Sequence, residues 1–318
     1  MNVGEDRRIL LATDFSRPGE LAYAYAAGLA KALHARMLIL NVLEGPPGLD
    51  REFPVNTLFL KQLQEESDRE LGKLGRLAEK AGITCETRQV YGKPAECVVK
   101  AAEDVMPALV VLGTHGRTGW DRLLLGSTAE AVVREAPCPV LTVRVTEANT
   151  AAQHPASPII RRLLVPIDFS ECAQEALEYA AMLAKQFGAK VCLVHAMEAA
   201  AYPLDFALFS VCEETALRDR IQRRLEELAV ALKTDGVAAE VLCETGSPFD
   251  VIMRRAKAHG DRGAIVMGTH GRRGLSHLAL GSVAEYVVRH AACPVLTIKS
   301  PKYRHRTKSE VRDAKQNA

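Results

Sequence analysis

Two hydrophobic patterns alternate along the chain. Short, nearly unbroken apolar runs, "RILLAT" (residues 8–13), "RMLILNVL" (36–43) and "ALVVLG" (108–113), have the length and composition of strands buried on both faces. Between them lie longer stretches whose apolar residues recur at helical spacing, "PGELAYAYAAGLAKALH" (18–34) and "NTLFLKQLQEESDRELGKLGRLAEKAG" (56–82). The second closes on Gly82, a residue suited to the left-handed turn that ends a helix. "TCETRQVY" (84–91) predicts a third strand and "PAECVVKAAEDV" (94–105) a helix opening on proline. "STAEAVVREA" (127–136) and "PVLTVRV" (139–145) predict a last helix and a fifth strand. Strands alternating with helices imply parallel β-α-β crossovers, hence an α/β fold with an open parallel sheet covered on both faces. Such sheets take ligands beyond the carboxyl ends of their strands, where the strand order reverses.

The whole pattern occurs twice. "RRILLATDFS" (7–16) returns as "RRLLVPIDFS" (161–170), and "GTHGRTGWDRLLLGSTAEAVVREAPCPVLTV" (113–143) returns as "GTHGRRGLSHLALGSVAEYVVRHAACPVLTI" (268–298). The later pair agrees at about two-thirds of positions, and a period this long marks a duplicated domain rather than a solenoid array. The expected organisation is a first domain over 1–146, an Ala/Thr/Pro-rich linker over 147–158, a second domain over 159–299 and a basic, disordered tail over 300–318. Each domain is expected to carry five strands.

Composition changes little in this picture. The 318 residues include 41 Lys and Arg against 39 Asp and Glu. Seven of the basic residues follow Ile298, so the body of the chain is slightly acidic and lacks the basic footprint of a nucleic-acid binder. No apolar run approaches the length of a membrane span, and the first residues lack the apolar core of a signal peptide; a cytoplasmic protein is expected. The eight cysteines are scattered with no C-x-x-C pair, which predicts small buried side chains in a reducing compartment and gives a disulfide framework or a zinc site little support.

The candidate chemistry lies in the repeated glycine loops. Each has the form G-x-x-G, nine residues, then G-S: Gly113, Gly116, Gly126 and Ser127 in the first copy, Gly268, Gly271, Gly281 and Ser282 in the second. Each follows a central strand and opens a helix, which places it on the ligand-binding edge. Glycines there can take positive φ and let backbone amides approach a ligand, and the amino end of the following helix attracts anions. Arg117 and Arg272 lie within the loops and can neutralise phosphate charge. "STAE" and "SVAE" also read as capping boxes, so Ser127 and Ser282 are expected to cap their helices as well as face a ligand. Neither the lysine-bearing phosphate loop nor the dinucleotide-binding G-x-G-x-x-G is present. The first strand of each copy ends instead in "DFS". Asp14 and Asp168 can there bond a ribose hydroxyl or help hold Mg²⁺, or cap the next helix, a role that Ser16 and Ser170 can equally fill.

With these motifs the chain resembles a tandem universal stress protein over nearly its whole length. ATP-binding members of that family carry the same G-x-x-G, nine residues, G-S/T pattern. The resemblance implies an adenine-nucleotide site in each domain, with ATP and Mg²⁺ as expected ligands. It matches the family's first-strand aspartate to Asp14 and Asp168, and its adenine-contacting second-strand residue to Val42 and Ala196. "YGKP" and "TGSP" resemble the family's turn before the third helix. It further implies pairing of the last strands into an intramolecular pseudo-dimer, the possibility of a homodimer, and protein partners that the sequence does not identify.

Hydrolysis of ATP would need a positioned water, a base and stabilisation of the leaving phosphate. His115 and His270 lie in the loops, but no partner at fixed spacing supports either as a base, and both read as hydrogen-bonding loop residues. A nucleotide-binding regulatory protein with at most slow ATPase activity is therefore expected. The alternatives are an ATPase or nucleotidyl transferase on the same fold, and a nucleotide-independent scaffold. Valine at Gly126 and Gly281 is expected to abolish nucleotide binding while the protein stays folded.

Overall fold

A computed structural model describes residues 7–45, 54–114, 125–145, 160–198, 207–271 and 280–299. They form two compact units, one within Met1–Pro158 and the other within Ile159–Ser300. The first unit runs β1 (Arg8–Ala12), α1 (Arg17–Ala32), β2 (Arg36–Leu43), α2 (Pro54–Lys80), β3 (Cys85–Tyr91), α3 (Pro94–Val105), β4 (Leu109–Gly113), α4 (Ser127–Glu135) and β5 (Val140–Val143). Its strands are parallel in the order β3-β2-β1-β4-β5. The order therefore reverses between β1 and β4. The second unit repeats this as β6 (Arg162–Pro166), α5 (Glu171–Phe187), β7 (Lys190–Met197), α6 (Ala207–Thr234), β8 (Ala239–Thr245), α7 (Pro248–His259), a 3₁₀ turn (Gly260–Arg262), β9 (Gly263–Gly268), α8 (Ser282–His290) and β10 (Val295–Ile298). Its order is β10-β9-β6-β7-β8, with the reversal between β6 and β9.

The apolar runs become the strands buried on both faces. Ile9, Leu10 and Leu11 of β1, and Leu163, Leu164 and Val165 of β6, are wholly buried. On one face of the first sheet α1 packs on β1 and β4 and α2 on β2 and β3; the Tyr23 hydroxyl donates to the Leu74 carbonyl at 3.3 Å to join the two helices. On the other face α3 and α4 pack together, α3 over β1 and β2 and α4 over β5. The second unit distributes α5 with α6, and α7 with α8, in the same way.

Local chemistry sets the helix ends. Pro94 and Pro248 open α3 and α7, where a missing N–H costs nothing. Gly82, at φ 76°, ends the turn after α2. The cysteines Cys138, Cys172, Cys192 and Cys243 are buried, and Cys85, Cys97 and Cys293 half-buried; all seven are free thiols. Lys299, counted above with the basic tail, is buried at the end of β10 and belongs to the second unit. Among the described residues, no helix is long and apolar enough to cross a membrane.

One close approach governs the edge where the order reverses. A Cβ on Gly113 would lie 2.7 Å from the Cβ of Pro18 and 3.0 Å from its carbonyl carbon. A Cβ on Gly268 would lie 2.5 Å from the Cβ of Cys172 and 2.8 Å from its carbonyl carbon. Both neighbours sit in the first turn of the helix after the unit's first strand, and backbone cannot swing aside. Gly268→Ala is expected to destabilise the protein by about 1–3 kcal/mol through overpacking, read as a lower urea midpoint at unchanged m-value.

Candidate functional site

The carboxyl edge of each unit is assembled from three backbone features. The first is a turn after the opening strand. Phe15 and Phe169 hold φ of 59° and 63°, a left-handed conformation that costs a bulky residue about 1–3 kcal/mol. The neighbouring side chains hold the turn in place. Asp14 Oδ1 accepts from the Ser16 amide at 3.1 Å and from the Ser16 hydroxyl, and Thr13 Oγ1 accepts from the Phe15 amide at 3.1 Å. In the second unit Asp168 Oδ1 accepts from the Ser170 amide at 3.0 Å. Of the two residues able to cap the next helix, the serine does so: Ser16 Oγ accepts from Gly19 N and Ser170 Oγ from Ala173 N. Each aspartate is thus fixed by one oxygen at the end of its strand.

The second feature is a clamp at the base of the glycine loop. The Thr114 amide donates to the Val143 carbonyl, and the Gly126 amide donates back to the Thr114 carbonyl at 2.7 Å. Thr269, Ile298 and Gly281 repeat the arrangement, with 2.8 Å for the Gly281 bond. The third feature is the helix that follows. Gly126 and Gly281, not the serines, occupy the N-caps of α4 and α8, at φ −63° and −61°, and a glycine supplies no capping side chain. The capping-box expectation is corrected accordingly: the Glu130 and Glu285 amides reach the carbonyls of Gly126 and Gly281, which moves Ser127 and Ser282 to the first helical position. There the hydroxyl stands beside the first-turn amides, which have no intrahelical partner.

The loop glycines also depart from the expected positive φ. Gly113, Gly126, Gly268, Gly271 and Gly281 are all absent from the residues with positive φ, and at Gly113, Gly268, Gly271 and Gly281 the surroundings leave no room for a Cβ. For Gly271 that Cβ would lie 2.7 Å from Asp168 Oδ2, and for Gly281 it would lie 3.0 Å from the Thr269 carbonyl oxygen. The second unit therefore brings together the strand-end carboxylate and the second loop glycine. Gly116, Arg117, Arg272 and His115 lie outside the described residues. His270 is buried, and its Nδ1 is 2.9 Å from Thr269 Oγ1, a loop contact of the kind expected for it.

Val42 and Ala196 occupy equivalent half-buried positions near the carboxyl ends of β2 and β7. Register places them beside the aspartates: Ala12 pairs with Leu40 two residues before Asp14, and Pro166 pairs with Val194 two residues before Asp168. The walls next to them differ between the units. In the first, Asn41 is buried, donates to the Thr13 carbonyl at 2.8 Å and accepts from Ser67 Oγ at 2.7 Å. In the second, His195 stands at that position, its Nδ1 against the Ile167 carbonyl and its ring 5.3 Å from that of Phe169. The Arg224 guanidinium lies over the other part of this cluster, 4.0 Å from the Phe169 ring centre. Sequence reasoning missed these groups. A polar residue inside each apolar run, in "LILNVL" and "CLVHAM", was the available signal for Asn41 and His195; nothing in a phenylalanine announces a left-handed turn.

Residues 6–144 and 160–299 each match the model of the universal stress protein family. The chain belongs to that family. A universal stress protein of Methanocaldococcus jannaschii, MJ0531, is 36% identical over 140 residues, which is 43% of this chain and 82% of the relative. Each such relative therefore corresponds to one unit. A universal stress protein structure from Archaeoglobus fulgidus superposes with a TM-score of 0.69 at 22% identity, covering 93% of this chain and 99% of that one. PA1789 of Pseudomonas aeruginosa, whose function is unknown, does so with 0.62 at 18%, covering 98% of both chains. At these identities the two structures support the fold alone.

Removing the buried polar group at the first crevice tests its wall. Asn41→Leu is expected to cost about 1–3 kcal/mol in chemical denaturation, because the buried Thr13 carbonyl loses the donor that satisfies it.

Proposed function

We propose that this universal stress protein binds one adenine nucleotide at the carboxyl edge of each unit, ATP with Mg²⁺ being the expected ligand, and serves as a nucleotide-dependent regulatory protein of the stress response. The observation that carries this reading is the repeated edge itself: both units have an oriented strand-end carboxylate, a clamped base to the glycine loop and an open helix amino end. The chemistry fits a nucleotide. Amides at the start of α4 and α8, with the Ser127 and Ser282 hydroxyls, can donate to phosphate oxygens. Asp14 and Asp168 can accept from ribose hydroxyls or take part in holding Mg²⁺. Val42 and Ala196 offer strand-end backbone to a base. The loop residues Gly113, Gly116, Gly126, Gly268, Gly271 and Gly281 keep side chains out of the path, and Arg117 and Arg272 supply positive charge. The motif that ATP-binding members of the family carry is complete in both copies.

The residues described offer binding groups rather than a catalytic set, and slow hydrolysis is the most this reading assigns. Valine at Gly281 does not separate binding from folding, since its Cβ would press on the Thr269 carbonyl. Ser127→Ala with Ser282→Ala is the cleaner variant, because alanine suits a first helical position. Calorimetry with Mg·ATP is expected to show affinity lowered about tenfold, the loss of one hydrogen bond to a charged group at each site. Mass spectrometry of ligand released from freshly purified protein identifies the nucleotide carried. Protein that carries none and binds none in calorimetry would instead fit a nucleotide-independent scaffold.

A further inference from the structure

At the opposite, amino edge of the second sheet, three metal-ligating side chains converge that take no part in the crevice. Cys192 of β7 and Glu240 of β8 are register partners, and His259 is the last residue of α7. One ligand atom from each lies within 4.8 Å of the other two. Cys192 is buried, Glu240 and His259 half-buried. Among the described residues the cluster belongs to this unit alone. The equivalent residues of the first unit, 154 positions earlier, are Leu38, Glu86 and Val105, so a thiol and an imidazole stand where the other copy has aliphatic side chains.

The local backbone is also rebuilt around His259. The offset between the copies changes from 154 to 155 across the 3₁₀ turn Gly260–Arg262, directly after it. Gly263 then makes room for it: a Cβ there would lie 2.8 Å from the Cβ of His259. Despite this accommodation, His259 Nδ1 is buried and has no hydrogen-bond partner among the described residues. A buried imidazole nitrogen left unpaired is costly.

We propose that Cys192, Glu240 and His259 form a site for a zinc-class divalent cation. Sulfur, nitrogen and carboxylate oxygen are the ligand set of tetrahedral zinc, and three protein ligands leave a fourth position for water. Tetrahedral bonds of zinc length place ligand atoms about 3.3–3.8 Å apart, so the side chains must close in from separations of up to 4.8 Å. Burial, with the Arg162 charge adding to it, lowers the His259 pKa and keeps the imidazole in its neutral, ligating form. Burial, with Glu240 adding to it, pushes the Cys192 thiol up to about 12, so the metal must displace a proton. On binding, the S–H bond breaks, the sulfur–metal bond forms and the proton leaves to solvent; no group is oxidised or reduced. Lys190, which pairs with Glu240, has its own side chain 44% exposed and can swing into water. Thiolate and carboxylate together then cancel the charge of the dication, so Arg162 and Arg255, the other cations near the cluster, face a neutral complex.

Titration of the chelator-treated full-length chain with Co²⁺ tests this. The expected result is a thiolate-to-cobalt charge-transfer band with intense visible d–d absorption, saturating at one equivalent and bleached by Zn²⁺. Cys192→Leu and His259→Val install the first unit's own residues, which guards the fold, and circular dichroism checks it. Both are expected to lose the band, and zinc is expected to raise the melting temperature of the natural chain but of neither variant. Cys85→Ser, on the first unit, is expected to keep it. A natural chain that gives no charge-transfer band, or a band that persists in folded Cys192→Leu and His259→Val, overturns the proposal.

Discussion

The closeness of a helix amino end to a neighbouring strand end is the constraint on which each unit depends. Only because Gly113 and Gly268 lack a Cβ can the first turn of α1 or α5 sit against the end of β4 or β9. That approach draws the strand-end aspartate and the base of the glycine loop to one side of the strand-order reversal. Everything built there relies on it: the serine-capped turn, the threonine clamp, and the carboxylate of Asp168 against Gly271. The glycine loop thus serves packing at its first position and, in the second unit, proximity at its second. Its third position closes the backbone bond that starts the next helix.

Much of this was legible in the residues because burial and period leave direct marks. Strands buried on both faces read as apolar runs, helices as amphipathic ones, and a duplication as two copies of one pattern. The carboxyl-edge location of "DFS" and of the glycine loops followed from the β-α-β order. What the sequence concealed was geometry at the scale of one bond. Whether Ser127 or Gly126 caps α4 shifts a hydroxyl by one residue, and a capping-box motif cannot decide between them when the glycine's carbonyl takes the helix bond. The left-handed Phe15 and Phe169 go against residue preference, so only the surrounding hydrogen bonds disclose them. The proposed cation cluster was hidden by separation: its ligands are scattered over two strands and a helix end, with no local spacing to betray them, and only strand register brings Cys192 and Glu240 side by side.

The two units share their edge backbone but not the interior behind it. Asn41 and Ser67 close a small polar network in one; His195, Phe169 and Arg224 form an aromatic and cationic cluster in the other. The amino edge differs as well: the first unit has Leu38 and Val105 where the second has Cys192 and His259, and Glu86 and Glu240 are common to both. Duplication has preserved the parts that fix the chain's path and released the side chains that line it.

On the proposed function, the unlike walls bear on how the two edges would fill with ligand. Two identical independent sites fill along a single hyperbola and span a fixed range of ligand. Two sites whose neighbouring side chains differ in polarity and charge fill in sequence, and their combined curve is broader and shallower. With asparagine behind one edge and histidine behind the other, the two nucleotide sites proposed above would together respond over a wider range of concentration than two copies of one site.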